Sequence, residues 1–203
     1  MNDCLKVIEE RRSIRKFEDR PVPAETLDQI IEAARLAPSG TNRQPWRFAL
    51  LQGNQREKIA SAVVQPFVAE APAVFVCCLD HRAYLRSQVE DRMKELVRAE
   101  VISEEAAGYI YQRRMPEQVE EVRLPASAYI DLGIAVQNMV LAAASLGLGS
   151  CWVRLFNQEQ VQQALALPDY MEALVLLPVG YPAQNPPSRP RLSRDEIMIS
   201  VQG

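Results

Sequence analysis

Residues 73–79 read Ala73-Val74-Phe75-Val76-Cys77-Cys78-Leu79, apolar at every position with no polar alternation. Successive side chains of a strand point to opposite faces, so a segment apolar on both faces belongs inside a sheet covered on two sides. Adjacent Cys77 and Cys78 then face opposite ways. Outward from this stretch, 46–51 and 173–179 read as further core strands, 150–156 as another, and 55–64 as a helix. Strands alternating with helices, with no internal repeat, give an α/β or α+β class with helices on both sheet faces.

From Ala24, the residues Leu27, Ile30, Ile31 and Ala34 recur at three- and four-residue steps, marking an amphipathic helix that Pro38 stops. The longest helix covers 126–146, with Ile130, Ile134, Gln137, Val140, Leu141 and Ala144 on one stripe and Gly133 permitting close approach. Gly147 and Gly149 end it. Residues 3–11 form a short helix with Leu5 and Ile8 inward. Residues 82–125 are dense in charge, with helices near 84–98 and 104–113, and read as an insertion over one face. Asn157 with Gln160, and Ser193 with Glu196, have capping-box spacing. Residues 197–201 are nevertheless strand-like, and a terminal strand there needs a partner sheet. At 203 residues the chain suits one domain with a complete core.

Composition narrows the function. Hydrophobic residues make up 48% and charged residues 24%, an ordinary globular balance. A net charge of −3 argues against a generic binder of nucleic acid or anionic membranes. No apolar run approaches the roughly 20 residues that cross a bilayer, and the start Met1-Asn2-Asp3-Cys4 lacks a secretory pattern, so a cytoplasmic location is expected. Cys4, Cys77, Cys78 and Cys151 show no C-x-x-C spacing and read as reduced thiols. With His81 the only histidine, no His-rich zinc site is expected, and any triad would rest on that residue.

Three polar stretches stand out against this background. Arg11, Arg12, Ser13 and Arg15 place guanidinium groups and a hydroxyl just after a helix, and arginine forks match phosphate oxygens. Pro38-Ser39-Gly40-Thr41-Asn42-Arg43-Gln44-Pro45-Trp46 sets small polar side chains and bare backbone between two prolines. Arg189-Pro190-Arg191 adds two more guanidiniums beyond the final core strand. Taken singly these are a solvated basic turn, an ordinary connection and a basic tail. Arginine clusters at both ends of an acidic chain are also what would be seen if both ends met at one phosphate.

Arg11-Arg12-Ser13-Ile14-Arg15-Lys16-Phe17, followed by residues 37–46 and closed by Gly180-Tyr181-Pro182 with Arg189-Pro190-Arg191, resembles the nitroreductase family of FMN-dependent oxidoreductases. The resemblance spans nearly the whole chain and is weakest over 82–125. It implies an α+β fold in three α/β/α layers, with a mixed central sheet, and an intertwined homodimer that exchanges its C-terminal strands. It also implies that Arg11, Arg189 and Arg191 surround the flavin phosphate, with Arg12 and Ser13 along the phosphate and ribityl chain. Arg15 faces the pyrimidine edge near N1, and Gln65 matches a position that meets the same ring. Pro38, Ser39, Gly40 and Asn42 come from the second subunit. Trp152 and Val153 match the strand end under the flavin, although Arg154 and Leu155 stand where some members have an acidic residue and glycine.

By the same resemblance, FMN is the bound cofactor and NAD(P)H a transient donor. Hydride passes to flavin N5 and then, by ping-pong kinetics, to a small acceptor such as a nitroaromatic or quinone. No side chain is assigned a catalytic role of its own, and neither a metal, a nucleic acid nor a membrane is called for. A non-catalytic flavin carrier or redox-sensing flavin binder is the alternative, a purely structural dimer is a second, and both rank below the enzyme.

Overall fold

A computed structural model describes residues 3–201. Its sheet runs in the order β1-β2-β4-β3, with β1 at Trp46–Gln52, β2 at Ala73–Asp80, β3 at Gly149–Ser150 and β4 at Met171–Gly180. These strands pair antiparallel throughout, and the parallel component of the expected mixed sheet is confined to an isolated bridge between Ser13 and Ser150.

Every residue of β2 is buried, and the two-residue period divides them between two cores. Ala73, Phe75, Cys77 and Leu79 meet α2 (Ala24–Arg35) and α6 (Ala126–Ser145) through Leu27, Ile30, Leu132 and Met139. Val74, Val76 and Cys78 meet Ile59, Val68 and Val161 on the other face, beneath a 3-10 segment at Gly53–Ala62, α3 (Phe67–Glu70) and α7 (Gln158–Ala164). Two helical layers thus enclose one sheet. Fully burying each of the Val, Phe and Leu side chains of β2 contributes about 1.5–3 kcal/mol, so the doubly covered strand anchors the fold. Opposite the two cysteines, Cys77 faces Val175 and Cys78 faces Ala173. The skipped Leu174 is a bulge that lies with Val175 on the α2–α6 side.

Several expected elements change form. The helix over 55–64 is a 3-10 segment, whose buried residues Ile59 and Ala62 lie three apart, the period at which 3-10 side chains eclipse. The strand over 150–156 shrinks to β3 followed by single bridges from Val153 to Leu176 and from Val63 to Phe156. Cys151 N–H donates to Pro178 O, but proline has no N–H to return, so the ladder lapses there.

On α6 the buried face is Ala128, Leu132, Ala135, Val136, Met139 and Ala143, while Ile130 on the expected stripe is 62% exposed. A Cβ on Gly133 would meet nothing within 4 Å, so this chain makes no close approach there. By length and composition α6 could also cross a membrane, contrary to the expectation that no apolar run is long enough; here its buried face packs against α2 and the sheet. On α1 (Asp3–Glu10), Leu5 and Ile8 turn outward at 58% and 49% exposure rather than inward. Within 82–125, α4 (Arg86–Arg98) and α5 (Glu104–Tyr111) share a small core of Val89, Met93 and Ala107. Ser193 and Glu196 close a capping box on α8 (Arg194–Ile197), and residues 198–201 carry no ladder where a strand was expected. A strand cannot pair without a neighbour.

Candidate functional site

The N-terminal arginines are placed by a segment tied down on two sides. Ile14 N–H donates to Ser150 O at 2.9 Å, and Gly149 makes room for it. A Cβ on Gly149 would lie 2.7 Å from Ile14 Cβ and 2.9 Å from Cγ2, closer than atoms can sit. Further along, Glu18 N–H donates to Tyr181 O at 2.9 Å and Ala183 N–H to Lys16 O at 3.0 Å. The segment is therefore bound both to β3 and to the chain leaving β4, which brings the two ends of the sequence together.

Where they meet, Arg11, Arg12, Ser13, Arg15, Arg189 and Arg191 line a cavity of about 510 Å³. Among the described residues none of its arginines is in an ion pair. Their hydrogen bonds go instead to backbone carbonyls, as from Arg12 Nη1 to Glu9 O at 2.6 Å and from Arg191 Nη1 to Pro190 O at 3.0 Å. Burial, then the charges of Arg191 and Arg12, lowers the pKa of Arg11. Five arginines against the single lining carboxylate of Glu9 leave positive charge that a dianion would relieve, and arginine forks suit phosphate oxygens. The volume falls within the range of small-molecule sites. The donor set therefore fits a phosphorylated cofactor such as FMN, with the phosphate among the arginines.

Pro38, Ser39, Gly40 and Asn42 do not line this cavity. Their loop is strained and firmly held. Thr41, Asn42 and Gln44 have φ of 52°, 52° and 49°, a left-handed conformation that costs roughly 1–2 kcal/mol at each L-residue. Holding it are Gly40 N–H to Asp131 Oδ1 at 3.1 Å, Gln44 N–H to Ser39 Oγ at 3.0 Å, and Asn42 N–H to Ser39 O at 3.0 Å. Strain maintained in this way concentrates at ligand sites.

Gln65, Trp152 and Val153 also lie outside the arginine cavity. Gln65 Oε1 is buried without a partner, leaving an acceptor to be satisfied. Val153 N–H donates to Leu176 O at 3.0 Å and its carbonyl accepts from Leu176 N–H at 2.9 Å, so its backbone is engaged within the chain. Trp152 remains exposed beside it.

Three residues at these sites were given no site role of their own from the sequence. Asp131 is the only charged residue of α6, and its carboxylate fixes the 38–42 loop. That solitary acid in an apolar helix was the available signal. Cys151 sits against the arginine cavity: burial pushes its thiol up, while Arg15, Arg189, a hydrogen bond with Ser13, and Arg11 pull it down. Tyr84, between Asp131 and Arg43, has its phenol pushed up to about 12, chiefly by burial.

The profile described as the nitroreductase family matches residues 8–181. This chain belongs to the nitroreductase family. Its relatives include an NADH dehydrogenase of Thermus thermophilus, 32% identical over 93% of this chain and 91% of that one. An FMN reductase (NAD(P)H) of Bacillus subtilis is 31% identical over 97% of this chain and 73% of its own length. The crystal structure of a nitroreductase-like protein from Streptococcus mutans covers both chains fully, with 26% identity and a TM-score of 0.81. The layered fold is thus the nitroreductase fold.

Proposed function

We propose that this nitroreductase-family chain is an NAD(P)H-dependent FMN oxidoreductase that passes electrons to a small acceptor such as a nitroaromatic or quinone. The observation that carries the proposal is the convergence of Arg11, Arg12 and Arg15 with Arg189 and Arg191 around one cavity. Arg11, Arg189 and Arg191 would neutralise the flavin phosphate, and Arg12 and Ser13 would bind along the phosphate and ribityl chain. Bound FMN supplies hydride chemistry at N5. Arg15 sets a fixed cation where negative charge develops on reduction, lowering the barrier electrostatically. Donor and acceptor would use the same face in turn, giving ping-pong kinetics.

The site is completed across a homodimer. Pro38, Ser39, Gly40 and Asn42 would serve the partner's flavin, which accounts for a strained, pinned loop away from this chain's own arginines. The outward Leu5, Ile8 and Ile130, with an apolar tail at 198–201, supply surface that a monomer leaves wet. Residues 197–201 would cross onto the partner's sheet. Gln65 and Trp152 would approach the flavin ring, and the region 82–125 within one domain would select the acceptor. Drawing on NAD(P)H, the enzyme would work in the cytoplasm.

Anaerobic addition of NADH or NADPH to the FMN-loaded protein tests this. Bleaching of the flavin band, reversed by a nitroaromatic or quinone, is the expected result. A yellow protein that neither donor bleaches would instead be a flavin carrier or sensor.

A further inference from the structure

Arg43, Arg47, Arg82 and Arg92 line a second cavity, of about 220 Å³, with Asp80 as its carboxylate. It shares no lining residue with the arginine cavity described above. We infer that this cluster is a second anion site, which takes a phosphomonoester group of a diffusible substrate.

The cluster is built rather than incidental. Asp80 is 1% exposed and accepts from Arg82 Nε at 3.0 Å, Arg82 Nη2 at 2.9 Å and the Arg82 N–H at 3.0 Å. Arg47 Nη2 lies 3.3 Å from the same carboxylate. Two guanidiniums are thereby oriented by one buried anion, and Arg82 is further fixed over the Tyr170 ring at 3.9 Å. Arg43 lies over Tyr84 at 5.1 Å, its Nε is buried without a partner, and it is in no ion pair among the described residues. Among the described residues Arg92 is paired only with Glu95 on its own helix, outside the cavity lining. Four cations against one lining carboxylate leave positive charge that no group within the cavity balances. Fork geometry favours a phosphate oxygen set, and the volume suits one such group rather than a whole nucleotide.

The source of the group rests on the proposed flavin reading. Arg43 directly follows the loop assigned to the partner's flavin, so an anion held here belongs to a substrate approaching that flavin. Two substrates carry the required chemistry: NADPH, through its 2′-phosphate, and free FMN acting as acceptor. NADH and riboflavin are their counterparts lacking that group.

Steady-state kinetics of the FMN-loaded wild type, Arg92→Ala and Arg43→Gln would compare each pair. The expected result is a KM lower by about tenfold for the phosphorylated member of one pair, lost in both variants, with the other member's KM and the bound-flavin absorbance unchanged. A preference for NADPH assigns the site to the donor, and one for FMN to the acceptor. No preference in either pair, or variants that shift both members equally, overturns the inference. Titration calorimetry of the same loaded proteins with adenosine 2′,5′-bisphosphate and with excess FMN reads the site without turnover. Absence of any binding heat that the substitutions remove also overturns it, whereas failed bleaching alone overturns only the flavin reading.

Discussion

Gly149 has no space for a side chain, because any Cβ would collide with Ile14. Gly149→Ala should cost roughly 1–3 kcal/mol, lowering Tm by several degrees. It should also loosen FMN, since the same contact seats Ser13. Thermal unfolding with flavin release checks both, and an unchanged Tm with full flavin content would contradict the placement. The buried thiols set an alkaline limit. Burial pushes Cys78 up from 9.0 to about 12, and Cys77 well above 9.0. Below pH 9 both states keep these thiols protonated, so the contribution is fully present. Above it only the unfolded chain loses the protons, so stability falls as pH rises, by up to about 1.4 kcal/mol per pH unit for each thiol. Tm should hold from pH 7 to 8.5 and decline beyond 9, less steeply in Cys78→Ala; equal slopes would remove the assignment. At the candidate site, Arg15→Ala should slow reduction by NAD(P)H about tenfold or more, read by anaerobic stopped flow, whereas an unchanged rate would remove its role.

At the scale of elements, α1 and the outer face of α6 leave Leu5, Ile8 and Ile130 exposed. If the proposed homodimer forms through these surfaces, Leu5→Glu with Ile130→Glu should shift the molar mass from dimer to monomer by light scattering while helix content stays near wild type. A dimer that persists would move the interface elsewhere. The same elements mark where sequence reading succeeded and failed. β2 was legible because unbroken apolar sequence has one outcome in a covered sheet. The buried face of α6 was not, because apolar residues lie on nearly all its sides and Ile130 fits either face. Leu5 and Ile8 were read as core because periodicity reports an apolar face without saying whether this chain covers it. The strand over 150–156 failed on Pro178, a residue distant in sequence whose missing N–H no local pattern reveals.

Across the whole molecule, the nitroreductase fold gathers arginines from both ends of the chain, and that convergence was legible as two clusters that could meet at one phosphate, but not the bonds that join them. The bonds from Ile14 to Ser150 and from Glu18 to Tyr181 make one cavity of them. The lone acid of α6 was visible in sequence, but its hold on the loop was not, because that bond spans 91 positions. If each flavin draws arginines from one subunit and the loop from the other, Arg191→Ala and Asn42→Ala homodimers should both be impaired. Their random mixture after co-refolding should recover about a quarter of wild-type activity, since half the dimers would carry one intact site. Recovery of none would place both residues at the same subunit's site. The central claim is that the converged arginines hold a flavin phosphate, and fluorescence titration of the flavin-free protein with FMN and with riboflavin tests it most directly. FMN should bind at least about 100-fold more tightly than riboflavin, with most of that margin lost in Arg191→Ala; equal affinity for the two flavins would contradict the claim.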